Sequence, residues 1–139
     1  MSYEEKGEWV YLVVNVLTYG LYLSIILGGA GSTPLAEVDY APTMLWTIGI
    51  GIGLTIAGSI VFEVAKPSDS VKADARDREI HRFGEYFGGT VLAIGMVVPF
   101  IFALAEFDHF WIANGMYLAF AVAALTGTIV KLVAYRRGL

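Results

Sequence analysis

Four long apolar stretches separated by three polar connections make up most of this chain. Trp9 to Ala36, Tyr40 to Phe62, Tyr86 to Ala105 and Phe110 to Val130 each contain no Asp, Glu, Lys or Arg. Each meets the roughly 20 residues that a helix needs to cross the hydrocarbon layer of a bilayer. The pattern therefore predicts an all-α, integral membrane four-helix bundle, a single domain over 1–139, with spans at about 9–30, 43–65, 86–105 and 110–133. The connection between the second and third spans is charged and helix-compatible, and it predicts a further helix at about 70–85.

The basic residues give this pattern an orientation. Lys6 precedes the first span, Lys66, Lys72, Arg76, Arg78 and Arg82 lie between the second and third, and Lys131, Arg136 and Arg137 close the fourth. The other two connections carry Glu37, Asp39, Glu106 and Asp108 and no base. Because cytoplasmic loops accumulate Lys and Arg, both termini and the middle loop are expected to be cytoplasmic, in a multi-pass protein of the cell (cytoplasmic) membrane. Trp9, Trp46 and Trp111 fall at predicted span ends, where indole rings favour the headgroup layer. The first stretch is expected to remain as a span and not to be a cleaved signal, since acidic Glu4, Glu5 and Glu8 flank it and it is too long for a signal core.

Composition narrows the function classes. With 57% hydrophobic and 16% charged residues, four spans leave no room for a separate soluble domain. A formal charge of -4 gives no basic field for nucleic acid, and the absence of cysteine removes disulfides, thiolate nucleophiles and Cys metal sites together.

The two halves resemble each other. Gly58-Ser59-Ile60-Val61 with Val64-Ala65 in the second span matches Gly127-Thr128-Ile129-Val130 with Val133-Ala134 in the fourth, and Val16-Leu17 with Gly20 in the first span matches Val91-Leu92 with Gly95 in the third. This predicts duplication of a two-helix hairpin. Since the first and third spans run the same way, the repeat axis would lie along the membrane normal. Pro99 is expected to kink the third span, with Gly95 one turn earlier easing the bend.

Rows of small residues run along the spans: Gly20, Ser24 and Gly28; Gly49, Gly53 and Ala57; Gly51, Thr55 and Ser59; Ala119, Ala123 and Gly127. Such rows let helix backbones approach closely, and they serve packing within one chain or a homodimer seam between two. Intramolecular packing is the first expectation. The first span also carries a polar stripe of Tyr11, Asn15, Thr18 and Tyr22. Asn15, an amide in mid-span, is read as a structural interhelical hydrogen bond, with a cavity contact as the alternative.

Candidate chemistry is sparse. The connecting helix offers Asp74–Arg78, Arg76–Glu79 and Glu79–Arg82 at helical pairing distances, and an apolar face of Ile80, Phe83 and Phe87. Asp77, His81 and Glu85 share one helix face with metal-ligand types, yet such a triplet arises readily by chance among so many polar residues, and the adjacent arginines oppose a cation. No metal and no cofactor is expected. Glu63, at the end of the second span, is within reach of Lys66 or Lys131. His81 and His109 lie on opposite membrane faces, no serine sits in a nucleophile elbow, and Gly49-Ile50-Gly51-Ile52-Gly53 is interior to a span and so is packing sequence. No catalytic residue is assigned, and an enzyme is not expected.

The loop segment Asp74-Ala75-Arg76-Asp77-Arg78-Glu79-Ile80 resembles the D-E-R-D/E-x-x-I signature of small uncharacterised prokaryotic four-span membrane proteins, and the ending Val130-Lys131-Leu132-Val133-Ala134-Tyr135-Arg136-Arg137-Gly138 is similar to theirs, the loop being the one specific motif. Ala75 stands where that signature usually has glutamate. Those proteins are often encoded beside helix-turn-helix regulators, so the resemblance implies a regulatory role and brings no activity, substrate or cofactor.

These readings point to a non-enzymatic membrane accessory or regulatory protein. Asp77, Arg78 and Glu85 would contact a cytosolic protein partner or anchor the loop helix. The alternative is a small dimeric transporter or channel with a pathway lined by Asn15, Thr18 and Tyr22. Partners beyond that are the lipid bilayer and a second copy of the chain, and no nucleic acid is expected.

Overall fold

The computed structural model describes residues 1–68 and 72–138. Among the described residues the chain is helical with no strand: α1 Tyr3–Ala30, a single 3-10 turn Leu35–Glu37, α2 Ala41–Ala65, α3 Ala75–Gly95, α4 Val97–Leu104 and α5 His109–Arg137. Four crossings are long and apolar enough for a membrane, with α3 and α4 together forming the third, Ala75–Leu104. The protein is therefore built as a multi-pass membrane protein, and large apolar side chains such as Leu45, Trp46 and Val64 lie open on its periphery. In a bilayer that surface meets lipid tails.

Local chemistry sets the helix ends. Ser2 caps α1, its hydroxyl accepting from the Glu5 N–H at 3.1 Å. The connecting helix is continuous with the third span, and its predicted first residues, at about 70, lie outside the described residues. It starts at Ala75 because Asp74 and Asp77 form a capping box: the Asp77 N–H donates to Asp74 Oδ1 at 2.8 Å and the Asp74 N–H to Asp77 Oδ2 at 3.0 Å. The expected bend near Pro99 takes the form of a break at Met96, between α3 and α4. Proline has no N–H to return to Gly95, four residues before it, and its ring crowds that carbonyl.

The tight turn after α4 is a Schellman motif. The Glu106 N–H reaches the Ala103 carbonyl at 3.2 Å and the Phe107 N–H reaches that of Phe102 at 2.9 Å. The Phe102 and Phe107 rings stack at 4.8 Å, the apolar contact that goes with such a motif. Glu106 holds the left-handed position, φ 56°, that glycine usually takes.

The helices pack in the lateral order α2, α1, α5, α3/α4, so the first and last helices are central and α2 and α3 do not form a packed pair. Across α3 and α5 the backbones nearly touch. A methyl on Gly127 would lie 3.1 Å from the Gly84 carbonyl oxygen, and one on Gly88 would lie 3.1 Å from that of Ala123. The seam continues as Gly95 against Ala119 and Gly115 against Pro99. The Ala119, Ala123 and Gly127 row is thus consumed within the chain. On α2, Gly51 abuts Thr18 and Gly58 abuts Val10, while Gly20, Gly28, Gly49 and Gly53 face open space. At the acidic end, Tyr22, Ile26 and Phe110 form a buried cluster covered by Leu35, Val38 and Tyr40 of the first loop.

Gly84→Ala and Gly127→Ala should each destabilise the fold by about 1–3 kcal/mol through overpacking. Gly20→Ala and Gly53→Ala should be neutral or stabilising by up to about 1 kcal/mol, since alanine is the better helix former. Reversible unfolding in mixed detergent micelles, followed by circular dichroism, measures both. Equal losses at all four positions would remove the seam as the organising contact.

Candidate functional site

Two linked features concentrate the polar chemistry: an ionic layer at the basic end of the helices, and a cleft that opens from it between α2 and α3. The layer has two centres. Lys6 of α1, 3% exposed, donates to Glu63 of α2 at 3.1 Å, to the Ser68 hydroxyl at 2.9 Å and to the Lys66 carbonyl. Glu63 also accepts from the Ser68 N–H at 2.9 Å and from its hydroxyl at 2.6 Å, so this carboxylate closes the turn that leaves α2. The sequence offered Lys66 or Lys131 as its partner; the ammonium that arrives is Lys6, from a neighbouring helix.

Lys131 of α5 is the second centre. It is 7% exposed, and its ammonium bridges Glu8 of α1 at 3.0 Å and Glu85 of α3 at 2.7 Å, tying three helices together. Its path depends on a glycine: a methyl on Gly84 would fall 2.3 Å from Lys131 Cγ, so only a bare backbone there lets the lysine stem lie across α3. The other Glu8 oxygen is buried without a hydrogen-bond partner, which leaves Lys131 as its electrostatic counterpart. Nearby, Arg136 lies 3.6 Å from Glu5 and sits over the Trp9 ring at 5.8 Å.

The candidate contact residues of the loop helix separate. Asp77 is buried; besides its capping role, its Oδ1 accepts from the Tyr135 hydroxyl at 2.9 Å and the Ser2 hydroxyl at 3.4 Å, binding the helix start to α5 and to α1. Glu85 is committed to Lys131. Arg78 is exposed and donates to the Ala73 carbonyl at 3.0 Å, while Arg76 donates to that of Tyr135 at 3.2 Å. The expected ladder of ion pairs along the helix does not form, because Asp74 caps and the two arginines take carbonyl oxygens instead. The apolar face divides as well: Ile80 is wholly buried, whereas Phe83 and Phe87 pack on each other at 4.9 Å and remain partly open. Among the described residues no group of three or more Asp, Glu and His side chains gathers as a metal site.

The cleft has a volume of about 670 Å³. Residues of α1 and α5 form its floor, and its walls come from α2 and α3. Asn15 and Thr18 of the polar stripe line it. Asn15 makes no interhelical bond, its amide donating to the Tyr11 carbonyl of its own helix at 3.0 Å. Tyr22 lies elsewhere, 1% exposed in the cluster at the acidic end, where its hydroxyl donates to Asn114 Oδ1 on α5. Asn114 escaped the sequence reading, being one turn inside the fourth span where an amide passes for part of the polar rim. Tyr19 and Tyr117, in edge-on contact at 5.0 Å, extend the lining, as do Thr47, Thr55 and Thr128.

Comparison with protein families, with curated proteins and with solved structures finds no match. The site therefore has to be read from its own geometry.

Lys131→Met should destabilise the protein by on the order of 3 kcal/mol, because it strands a buried carboxylate. Adding Glu8→Gln should restore most of that loss. The coupling follows from a double-mutant cycle on detergent unfolding, and strictly additive losses would show that the two residues do not interact.

Proposed function

We propose that this chain is a non-enzymatic accessory or regulatory protein of the cytoplasmic membrane that engages a cytosolic protein through the exposed face of α3 at the basic end. The termini and the α2–α3 connection would face the cytoplasm, in keeping with the grouping of all nine basic residues at one end of the helices. The observation that carries the reading is how α3 begins. Its inner side is fixed by Asp77 to Tyr135 and by Glu85 to Lys131, while Arg78, Glu79, His81 and Arg82 are exposed on a rigid continuation of a membrane helix. A charged face held this firmly suits recognition, since little ordering entropy is lost on contact. The resemblance of the loop to four-span proteins encoded beside regulators agrees with it.

Duplication of a hairpin is part of the same proposal. Helices α1 and α2 pack as one pair, and α3/α4 with α5 as another. The matched glycines Gly58 and Gly127 each mark a close approach of the second helix of a pair to the first.

A second reading, a small dimeric transporter or channel, is favoured by the cleft, which Asn15 and Thr18 line in mid-span. The open Gly49 and Gly53 positions on α2 would serve its dimer contact.

Reporter fusions at position 78 and after position 138 should both report the cytoplasmic side. A photocrosslinking residue at position 79 or 82 should trap one discrete protein in cells, and Arg78→Glu with Arg82→Glu should abolish the adduct while leaving the unfolding midpoint unchanged. Capture that persists after both reversals would dismiss the partner surface. Flux of common ions and cationic drugs into liposomes, reduced by Asn15→Leu, would instead support the transport reading.

A further inference from the structure

We infer that the cleft between α2 and α3 binds a neutral amphiphile taken up from the lipid phase, one with a small uncharged head rich in hydrogen-bond acceptors on an apolar tail. This deepens the second reading above and is independent of the partner surface.

The first ground is an imbalance of hydroxyls. In the spans, Thr18, Thr47, Thr55, Thr90 and Thr126 each donate to a carbonyl of their own helix one turn back, at 2.7–3.0 Å, which satisfies a hydroxyl in a dry medium. Thr128 does not. It is 2% exposed, lines the cleft and has no hydrogen-bond partner for its hydroxyl among the described residues. Tyr11, Tyr19 and Tyr117 also line the cleft with hydroxyls that bond no protein group among the described residues, and the Asn15 Oδ1 accepts from none of these. In hydrocarbon, polar groups of this kind need a partner that water does not readily supply. Four available O–H donors, those of Tyr11, Tyr19, Tyr117 and Thr128, against one free amide oxygen favour a head that mainly accepts, although each hydroxyl can also accept.

The second ground is charge. The charged groups that line the cleft are Glu85 and Lys131, paired with each other at its basic end, where Lys131 also meets Glu8. Among the described residues each charge in the lining thus has a partner within the protein, so an uncharged head is the matching chemistry. The third is access and size. Because α2 and α3 do not form a packed pair, the cleft lies open between them with the apolar Ile52 and Ile56 of α2 in its lining, and its 670 Å³ lies within the range of small-molecule pockets, about 300–1,000 Å³.

Native mass spectrometry of the full chain, released from detergent micelles, tests this with four probes at equal concentration: 1-oleoylglycerol, a decyl-substituted benzoquinone, hexadecane and dodecylammonium. A saturable one-to-one adduct is expected with one or both neutral-headed probes, and which one binds separates an ester head from a ring head. Thr128→Val and Asn15→Leu should each weaken the adduct at least tenfold, and Thr128→Ser, which keeps the hydroxyl, should retain it. The inference is overturned by no saturable adduct, by equal adducts on wild type and both weakening variants, or by hexadecane or dodecylammonium binding as tightly. Binding without liposome flux upholds this inference and removes the transport reading, whereas flux without binding does the reverse.

Discussion

Lipid tails are as apolar as leucine, so burying leucine against leucine gains little inside a bilayer, and helices there must be held by close packing and polar contacts. In this protein that constraint is met mainly along α5. Glycines on both sides of the α3–α5 seam bring carbonyl oxygens within van der Waals range of the facing backbone, where dispersion and weak Cα–H contacts accumulate. The seam and the ionic layer are one device, because the space left by Gly84 is what the Lys131 stem occupies on its way to Glu8 and Glu85. A side chain at position 84 would disturb packing and charge pairing together.

The same economy explains why the molecule is open on one side. α1 is held to α5 by Lys131 and by the aromatic cluster of Tyr19, Tyr22 and Tyr117, whereas α2 touches mainly α1 and buries only Thr47. Under the proposed duplication, the seam between α1 and α5 corresponds to one between α3 and α2. The first is packed and the second is the cleft. On that proposal the two halves build unlike seams, and the difference follows from Tyr19, Tyr22 and Lys131, whose positions in the other half carry Ile94, Val97 and Phe62.

Much of the architecture was legible in the residues. Runs of uncharged apolar positions marked the four crossings, Pro99 with Gly95 marked the interruption that falls at Met96, and Ala119, Ala123 and Gly127 marked a contact face. Asp74 and Asp77 are spaced as a capping box, and Gly84 and Gly88 as a small-residue pair, so both features are readable in the sequence, although the Asp74–Arg78 spacing equally suits an ion pair. Pairing across helices was a different matter. Local spacing says that Glu63 needs a cation and that Asn15 needs a partner. It cannot say that Lys6 swings in from α1, that Asn15 bonds its own helix, or that Tyr22 finds Asn114, because those outcomes depend on lateral helix order. The cleft was hidden for the same reason: it is defined by two helices that do not form a packed pair.

The position of α5 also bears on how the protein is made. It is the last of the four crossings to leave the ribosome, yet α1, α3 and α4 all lean on it. Until it arrives, Glu8 and Glu85 lack their lysine and the backbone of Gly84 and Gly88 has nothing to lie against. Before that step α1 and α2 can already pair, joined by Lys6 and Glu63, whereas α3 and α4 have little to pack against, and insertion of the final helix is the event that joins the two parts.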